Sequence, residues 1–156
     1  MNDAPVDVRG PRFAAWVTAG VLAVVLLTAS PVLLGLQALV FAAGAALGIR
    51  RAPYGVLFRR LVAPRLGPAT EFEDPAPPRF AQAVGLVFAV VGTVGFALGW
   101  PALGFGATAL ALAAAFLNAA FGFCLGCEMY LLFRRATVRS PGSPSTRTTQ
   151  RRGVAA

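Results

Sequence analysis

The chain has 156 residues, of which 57% are hydrophobic and only 13% charged, and its net charge is +8. A water-soluble domain carries roughly 25% charged residues, so this composition excludes an ordinary soluble globular protein. All 14 basic residues are arginine and there is no histidine, which removes the usual general base, the usual metal ligand and every Ser-His or Cys-His catalytic pair.

Four runs are almost free of charge: Phe13 to Ser30, Val32 to Ile49, Phe80 to Trp100, and Ala102 to Phe123. Each is close to the ~20 residues that cross a ~30 Å hydrocarbon core as a helix. Backbone amides inside hydrocarbon must be paired within their own segment, and the valines of the first run show no alternation with polar residues, so helices rather than strands are expected. The expected fold is an all-α membrane protein with four transmembrane helices. A cleaved signal peptide is rejected for the first run, because it is long for one and a second apolar run follows at once.

The arginines fall in three groups, Arg9 with Arg12, Arg50 through Arg79, and Arg134 through Arg152. The connections Thr28-Ala29-Ser30-Pro31 and Gly99-Trp100-Pro101 carry no charge. Under the positive-inside rule both termini and the central loop lie in the cytoplasm. The positive charge is therefore a topology signal, and nucleic acid is not an expected partner. The chain divides into a cytoplasmic N-terminal segment (1–12), a transmembrane hairpin (13–49), a Pro/Arg-rich cytoplasmic loop with an interfacial segment (50–79), a second hairpin ending in the cysteine pair (80–128), an interfacial segment (129–139) and a disordered tail (140–156). Six prolines in the central loop favour an extended linker, in which Glu71, Glu73 and Asp74 pair with neighbouring arginines.

The hairpins read as a repeat. Pro11-Arg12-Phe13-Ala14 opens the first and Pro78-Arg79-Phe80-Ala81 the second; Leu57-Phe58-Arg59-Arg60 closes the first and Leu132-Phe133-Arg134-Arg135 the second. Both halves begin and end on the same side, which makes the repeat parallel, with a pseudo-twofold axis along the membrane normal. From Ala102 to Phe133 is about 48 Å as one helix, too long for the bilayer. The fourth helix is therefore expected to end or bend between Gly122 and Gly126, leaving a short interfacial helix. Gln37, Gln82 and Asn118 are expected to hydrogen-bond between helices, and Trp100, Tyr54 and Tyr130 to form aromatic belts.

The one constellation with chemistry of its own is Cys124-Leu125-Gly126-Cys127, followed by Glu128, at the end of the last apolar run. Two cysteines three apart on a helix place their sulfurs on one side, the spacing used in two-electron thiol–disulfide exchange. Glu128 either raises the thiol pKa when ionised or shuttles protons when protonated, and Arg134 and Arg135 offset it at longer range. A cytoplasmic compartment keeps thiols reduced, so a permanent structural disulfide is not expected. The bland alternative is packing: cysteine is a small hydrophobe, and Gly122-x-x-x-Gly126 is a helix-packing pattern. A metal site needs about four ligands and would take a second chain; no metal and no cofactor is expected.

The segments Val6-Asp7-Val8-Arg9-Gly10-Pro11-Arg12-Phe13, Pro53-Tyr54-Gly55 with Arg59-Arg60, Pro77-Pro78-Arg79-Phe80-Ala81-Gln82 and, most specifically, Phe121-Gly122-Phe123-Cys124-Leu125-Gly126-Cys127-Glu128 resemble the bacterial membrane-protein family catalogued as domain of unknown function 4395. The resemblance covers about Asp7 to Arg135. It implies a bacterial cytoplasmic-membrane location and, through the sulfurtransferases and thioredoxin-like proteins encoded near such genes, thiol chemistry at Cys124 and Cys127. Three functions follow as expectations. The first is thiol–disulfide or sulfane-sulfur exchange with a thioredoxin-like or rhodanese-like partner, by a chain set in the lipid bilayer and paired as a homodimer. The second is a dimeric transporter or channel subunit for a small sulfur compound, and the third a membrane scaffold with packing cysteines.

Overall fold

The computed structural model describes residues 5–137; the tail expected to be disordered, 140–156, lies outside them. The fold is all-α apart from one short ladder. In chain order it comprises β1 (Val6–Asp7), α1 (Arg9–Thr28), α2 (Pro31–Leu47), α3 (Pro53–Leu57), a π-helical turn (Phe58–Val62), α4 (Ala63–Leu66), β2 (Phe72–Glu73), α5 (Ala76–Ala97), α6 (Pro101–Phe121) and α7 (Leu125–Thr137).

Among the described residues three helices are long and apolar enough to cross a membrane: α1, α5 and α6, with mean hydropathies of 1.6, 1.9 and 1.7. The fourth apolar helix, α2, has 17 residues and spans about 25 Å at 1.5 Å per residue, short of the hydrocarbon thickness. Leu27, Leu36, Leu39, Val87, Leu98 and Leu110 all face outward, an apolar surface that fits lipid rather than water. The chain is a multi-pass membrane protein.

Helix ends lie where local chemistry puts them. Ser30 caps α2, its hydroxyl accepting the Leu33 amide at 3.3 Å, and Pro31 follows at the first helical position, where its missing N–H costs nothing. α5 and α6 also open on proline, Pro77 and Pro101. Helices α1 and α5 begin earlier than the apolar runs, at Arg9 and Ala76, because helix geometry continues past the last apolar residue to the nearest proline-compatible turn.

Helix packing depends on glycine. α5 lies against α2, α6 and α7, and α1 lies against α6. On α5, Gly85 receives the ring of Phe41 and Gly92 the side chain of Leu34, both from α2; added Cβ atoms would sit 2.9 and 2.7 Å from them. At Gly95 a Cβ would come 2.6 Å from the backbone nitrogen of Gly104 in α6, so the two backbones touch directly beside the Trp100 turn, as small residues allow in lipid. Leu22, Val25, Leu34, Phe41 and Ala89 form the core at this level. The buried hydroxyl of Thr108 donates to the Gly104 carbonyl within its own helix, which satisfies it without a partner helix.

The segment of the central loop expected to lie at the interface is helical, and the helix runs further than the expected extended linker allows. Residues 53–66 are helical throughout, with the π turn directly before Pro64. Ala63 donates to the Phe58 carbonyl five residues back, and this wider turn accommodates a proline that cannot donate to the carbonyl four back. The loop then pairs with the N-terminus: β1 and β2 form an antiparallel ladder, Val6 opposite Glu73 and Asp7 opposite Phe72. A two-residue ladder leaves no periodic trace in sequence, and it forms because unpaired backbone groups find each other. The expected pairing of the acidic cluster with arginines is replaced by other contacts. Asp74 accepts the Ala76 amide at 2.8 Å, while it is Asp7 that binds Arg9, at 2.9 Å.

Gln37 and Tyr54 also differ from expectation. Gln37 is buried and its carbonyl oxygen accepts the Tyr54 hydroxyl at 2.7 Å, so Tyr54 turns inward rather than joining an aromatic belt. Burial raises the Tyr54 pKa. The Gln82 side chain lies across Gly44 of α2.

Two outcomes are expected. Gly95→Val should lower stability in detergent by about 1–3 kcal/mol through overpacking, whereas Gly106→Ala, which faces open space, should leave the melting temperature unchanged or slightly raised. The Arg9 hydrogen bond holds the Asp7 carboxyl below its usual value, so its stabilisation is complete above about pH 4 and is lost as pH falls through the lower folded value. Amide exchange at Val6 and Glu73, corrected for intrinsic rates, should rise on acidification in the native chain; in Asp7→Asn it should be fast at every pH.

Candidate functional site

The cysteine pair sits where α6 gives way to α7. Gly122 ends α6 in the left-handed conformation (φ 71°), its amide donating to the Asn118 carbonyl at 3.0 Å and the Phe123 amide to the Leu117 carbonyl at 3.3 Å. A left-handed residue at this position is glycine's usual role. The chain leaves helix geometry for three residues and re-enters it at Leu125, with the Glu128 amide donating to the Cys124 carbonyl at 3.0 Å. Cys124 is therefore the N-cap residue of α7, and Cys127 is its third helical residue.

This position gives the Cys124 sulfur a specific partner. It accepts the Cys127 backbone amide at 3.3 Å, the same N-cap contact that Ser30 makes with Leu33 at the start of α2. Helix N-termini present unpaired N–H groups and a partial positive charge, so α7 favours the anionic form of the sulfur at its cap. Both cysteines are half-buried. They are joined to each other as a disulfide, with Cα atoms 5.2 Å apart. A bridge across two intervening residues ties no distant elements together and constrains the fold little.

The helix that carries the pair is fixed to α5. A Cβ on Gly126 would lie 2.6 Å from the Cα and Cβ of Ala81, so the second of the two residues between the cysteines must be glycine for the helices to touch. The Phe80 and Tyr130 rings pack 5.8 Å apart one turn on. Gly122 and Gly126 thus do not form one helix-packing face as the spacing alone suggested. The first is a turn and the second a contact, because the helix breaks between them. An analogous ring pair, Phe13 with Phe58 at 5.7 Å, joins α1 to the π turn.

Glu128 is exposed in the first turn of α7. Arg134 is 6.0 Å from the Tyr130 ring centroid. Asn118 enters the site through its backbone carbonyl. Among the described residues no three His, Cys, Asp or Glu side chains gather as metal ligands.

Sequence reading missed two arginines that close the ends of helices. Arg79, opening α5, donates to the carbonyls of Ala45 and Ala46 at the end of α2, at 3.1–3.3 Å. Arg12, on α1, lies against Gly122: a Cβ there would meet its Cζ and Nε at 3.8 Å. The repeated Pro-Arg-Phe-Ala segments were the available signal. They served only as repeat markers, since nothing in them says which helix end each arginine reaches.

The arrangement can hold one sulfur as a thiolate and keep a second within bonding reach, which suits attack by Cys124 and resolution by Cys127. With each cysteine left alone by serine substitution of the other, Cys124 should be alkylated about three- to tenfold faster than Cys127 at pH 7. Equal rates in stopped-flow alkylation would remove the asymmetry.

Neither a curated protein nor a solved structure matches the chain. One family does match it over residues 6–135, through both ends of the bundle and the whole cysteine segment, and the chain belongs to that family, the domain of unknown function DUF4395.

Proposed function

We propose that this protein carries out thiol–disulfide or sulfane-sulfur exchange at the cytoplasmic face of the membrane, with Cys124 attacking and Cys127 resolving. The observation that supports this most directly is the Cys124 sulfur at the N-cap of α7, bonded to the Cys127 amide and within bonding reach of the Cys127 sulfur. Packing alone calls for neither feature.

In the exchange, the Cys124 thiolate attacks a partner's disulfide. The partner's S–S bond breaks, a mixed disulfide forms, and one partner thiolate leaves. The Cys127 thiolate then attacks the Cys124 sulfur, closing the internal disulfide and releasing the partner's second thiolate. Two electrons and two protons pass from the cysteine pair to the partner, and the reverse sequence restores the pair. With a persulfide partner, Cys124 first takes the outer sulfur and Cys127 then displaces it as hydrosulfide, forming the same internal disulfide. The partner is a thioredoxin-like or rhodanese-like protein. Glu128, four residues from Cys124, relays protons to the leaving thiolates.

The setting is a four-span bundle built as a parallel repeat. α2, about 25 Å long, crosses as the fourth span through local thinning of the bilayer. Arg79 at the end of α2 and Arg12 at the end of α6 hold equivalent places in the two hairpins, while of the Phe13–Phe58 and Phe80–Tyr130 ring pairs only Phe13 and Phe80 correspond in the repeat. These contacts bring the starts of α1 and α5 and the ends of α2 and α6, with their arginines, to one side. That side faces the cytoplasm under the positive-inside rule, and α7 lies along the interface there.

Inverted membrane vesicles and a membrane-impermeant maleimide test this reading. Labelling of Cys124 and Cys127 should be blocked by mild oxidant and restored by dithiothreitol, and Cys124→Ser and Cys127→Ser should each abolish exchange while leaving insertion intact. Full exchange in both variants, or labelling only after denaturation, would overturn it.

A further inference from the structure

The two repeated arginines have different surroundings, and the difference concerns the cysteine pair. Arg79 spends its guanidinium on the carbonyls of Ala45 and Ala46. Those carbonyls end α2, and the chain beyond them turns at Gly48, also at positive φ (86°). Arg12 occupies the matching place at the end of α6, with its guanidinium 3.8 Å from where a Gly122 Cβ would stand. It is exposed. The segment it covers is only two residues from Cys124, where the second hairpin carries a sulfur instead of the Arg50-Arg51 pair of the first.

The helices around the cysteine segment carry several ionisable groups, with Arg135 beside Arg134 at the far end of α7. From α1 there is Arg12. From α5 there is Arg79, turned to the α2 carbonyls. From α7 come Glu128 and Tyr130 in the first turns, and Arg134 over the Tyr130 ring. Glu128 follows Cys127 directly and its negative charge opposes a thiolate. Arg12 is the cation that α1 brings to this turn from outside the segment, and the α7 N-terminus adds its partial charge in the same sense.

We propose that Arg12 is the positioning residue for the Cys124 thiolate: its guanidinium offsets Glu128 and keeps the attacking sulfur anionic near neutral pH. The α1 N-terminus therefore sets the reactivity of a thiol more than 100 positions away in sequence. Gly122 is required because a side chain would strain the left-handed turn, and the guanidinium lies at van der Waals distance from it. This inference rests on Cys124 being the attacking thiol.

The test is the pH profile of Cys124 alkylation by iodoacetamide in the full-length Cys127→Ser protein, in detergent, with Arg12 intact and as Arg12→Gln and Arg12→Lys. Melting temperature is followed in each. Arg12→Gln should slow alkylation at pH 7 by about three- to tenfold and move the profile toward alkaline pH, and Arg12→Lys should keep most of the native rate. An unchanged profile in Arg12→Gln, with Cys124 still fast in the parent, would overturn the role of Arg12 alone and reduce it to a cap on α6. A Cys124 that reacts as an ordinary thiol in the parent would overturn both this inference and the proposed exchange. A lower melting temperature with an unchanged profile also counts against the proposal, because a cap affects stability and not titration.

Discussion

The close approach of α5 to its neighbours is the constraint on which the rest of the bundle depends. In lipid no hydrophobic force drives helices together, so packing and contact area decide. α5 supplies the room by omitting side chains at Gly85, Gly92 and Gly95, into which Phe41, Leu34 and the backbone at Gly104 fit. α2 and α6 are thereby seated on the same helix, and α1 is seated on α6. The N-terminal end of α5 repeats the device from the other side: Ala81 lies against Gly126, and α7 is drawn in. One helix thus fixes both the membrane core and the segment that bears the cysteines.

Breaking the last apolar segment in two is what gives the cysteines a distinct environment. A continuous helix through 121–128 would leave both sulfurs mid-helix, with every nearby amide committed to a carbonyl four residues back. Ending α6 at Phe121 and restarting at Leu125 frees the first amides of α7, and Cys124 takes up one of them. The same helix start also meets the anchoring contacts of Gly126 and Tyr130 with α5. The sulfur is therefore held on a supported element rather than on a loose loop.

Arginine in this protein does more than mark a side of the membrane. Arg9 closes α4 through the Leu66 and Gly67 carbonyls while bonded to Asp7, Arg79 closes α2, and Arg12 covers the α6 turn. Planar guanidinium groups suit this work, since several donors reach two carbonyls at once. Each contact joins segments far apart in sequence, so these arginines tie helix ends together.

The sequence alone determined what rests on composition and local chemistry. Long uncharged runs require helices wherever water is absent, Pro31 and Pro101 mark helix starts, and Gly122 marks a stop, so the membrane class, the helix order and the break before the cysteines were all legible. The family was legible too, in the cysteine segment itself. What only the tertiary structure decided is contact between distant segments. The β1–β2 ladder is too short for periodicity to reveal. The helical course of 53–66 survives its prolines through one π turn, and Tyr54 bonds Gln37 instead of facing the interface. Which helix end Arg12 or Arg79 reaches depends on how α1 and α5 pack, and a local sequence pattern carries no record of that. The cysteine pair spans both kinds of information: its spacing is written in the chain, while its place at a helix cap, on a helix held by α5, follows from packing.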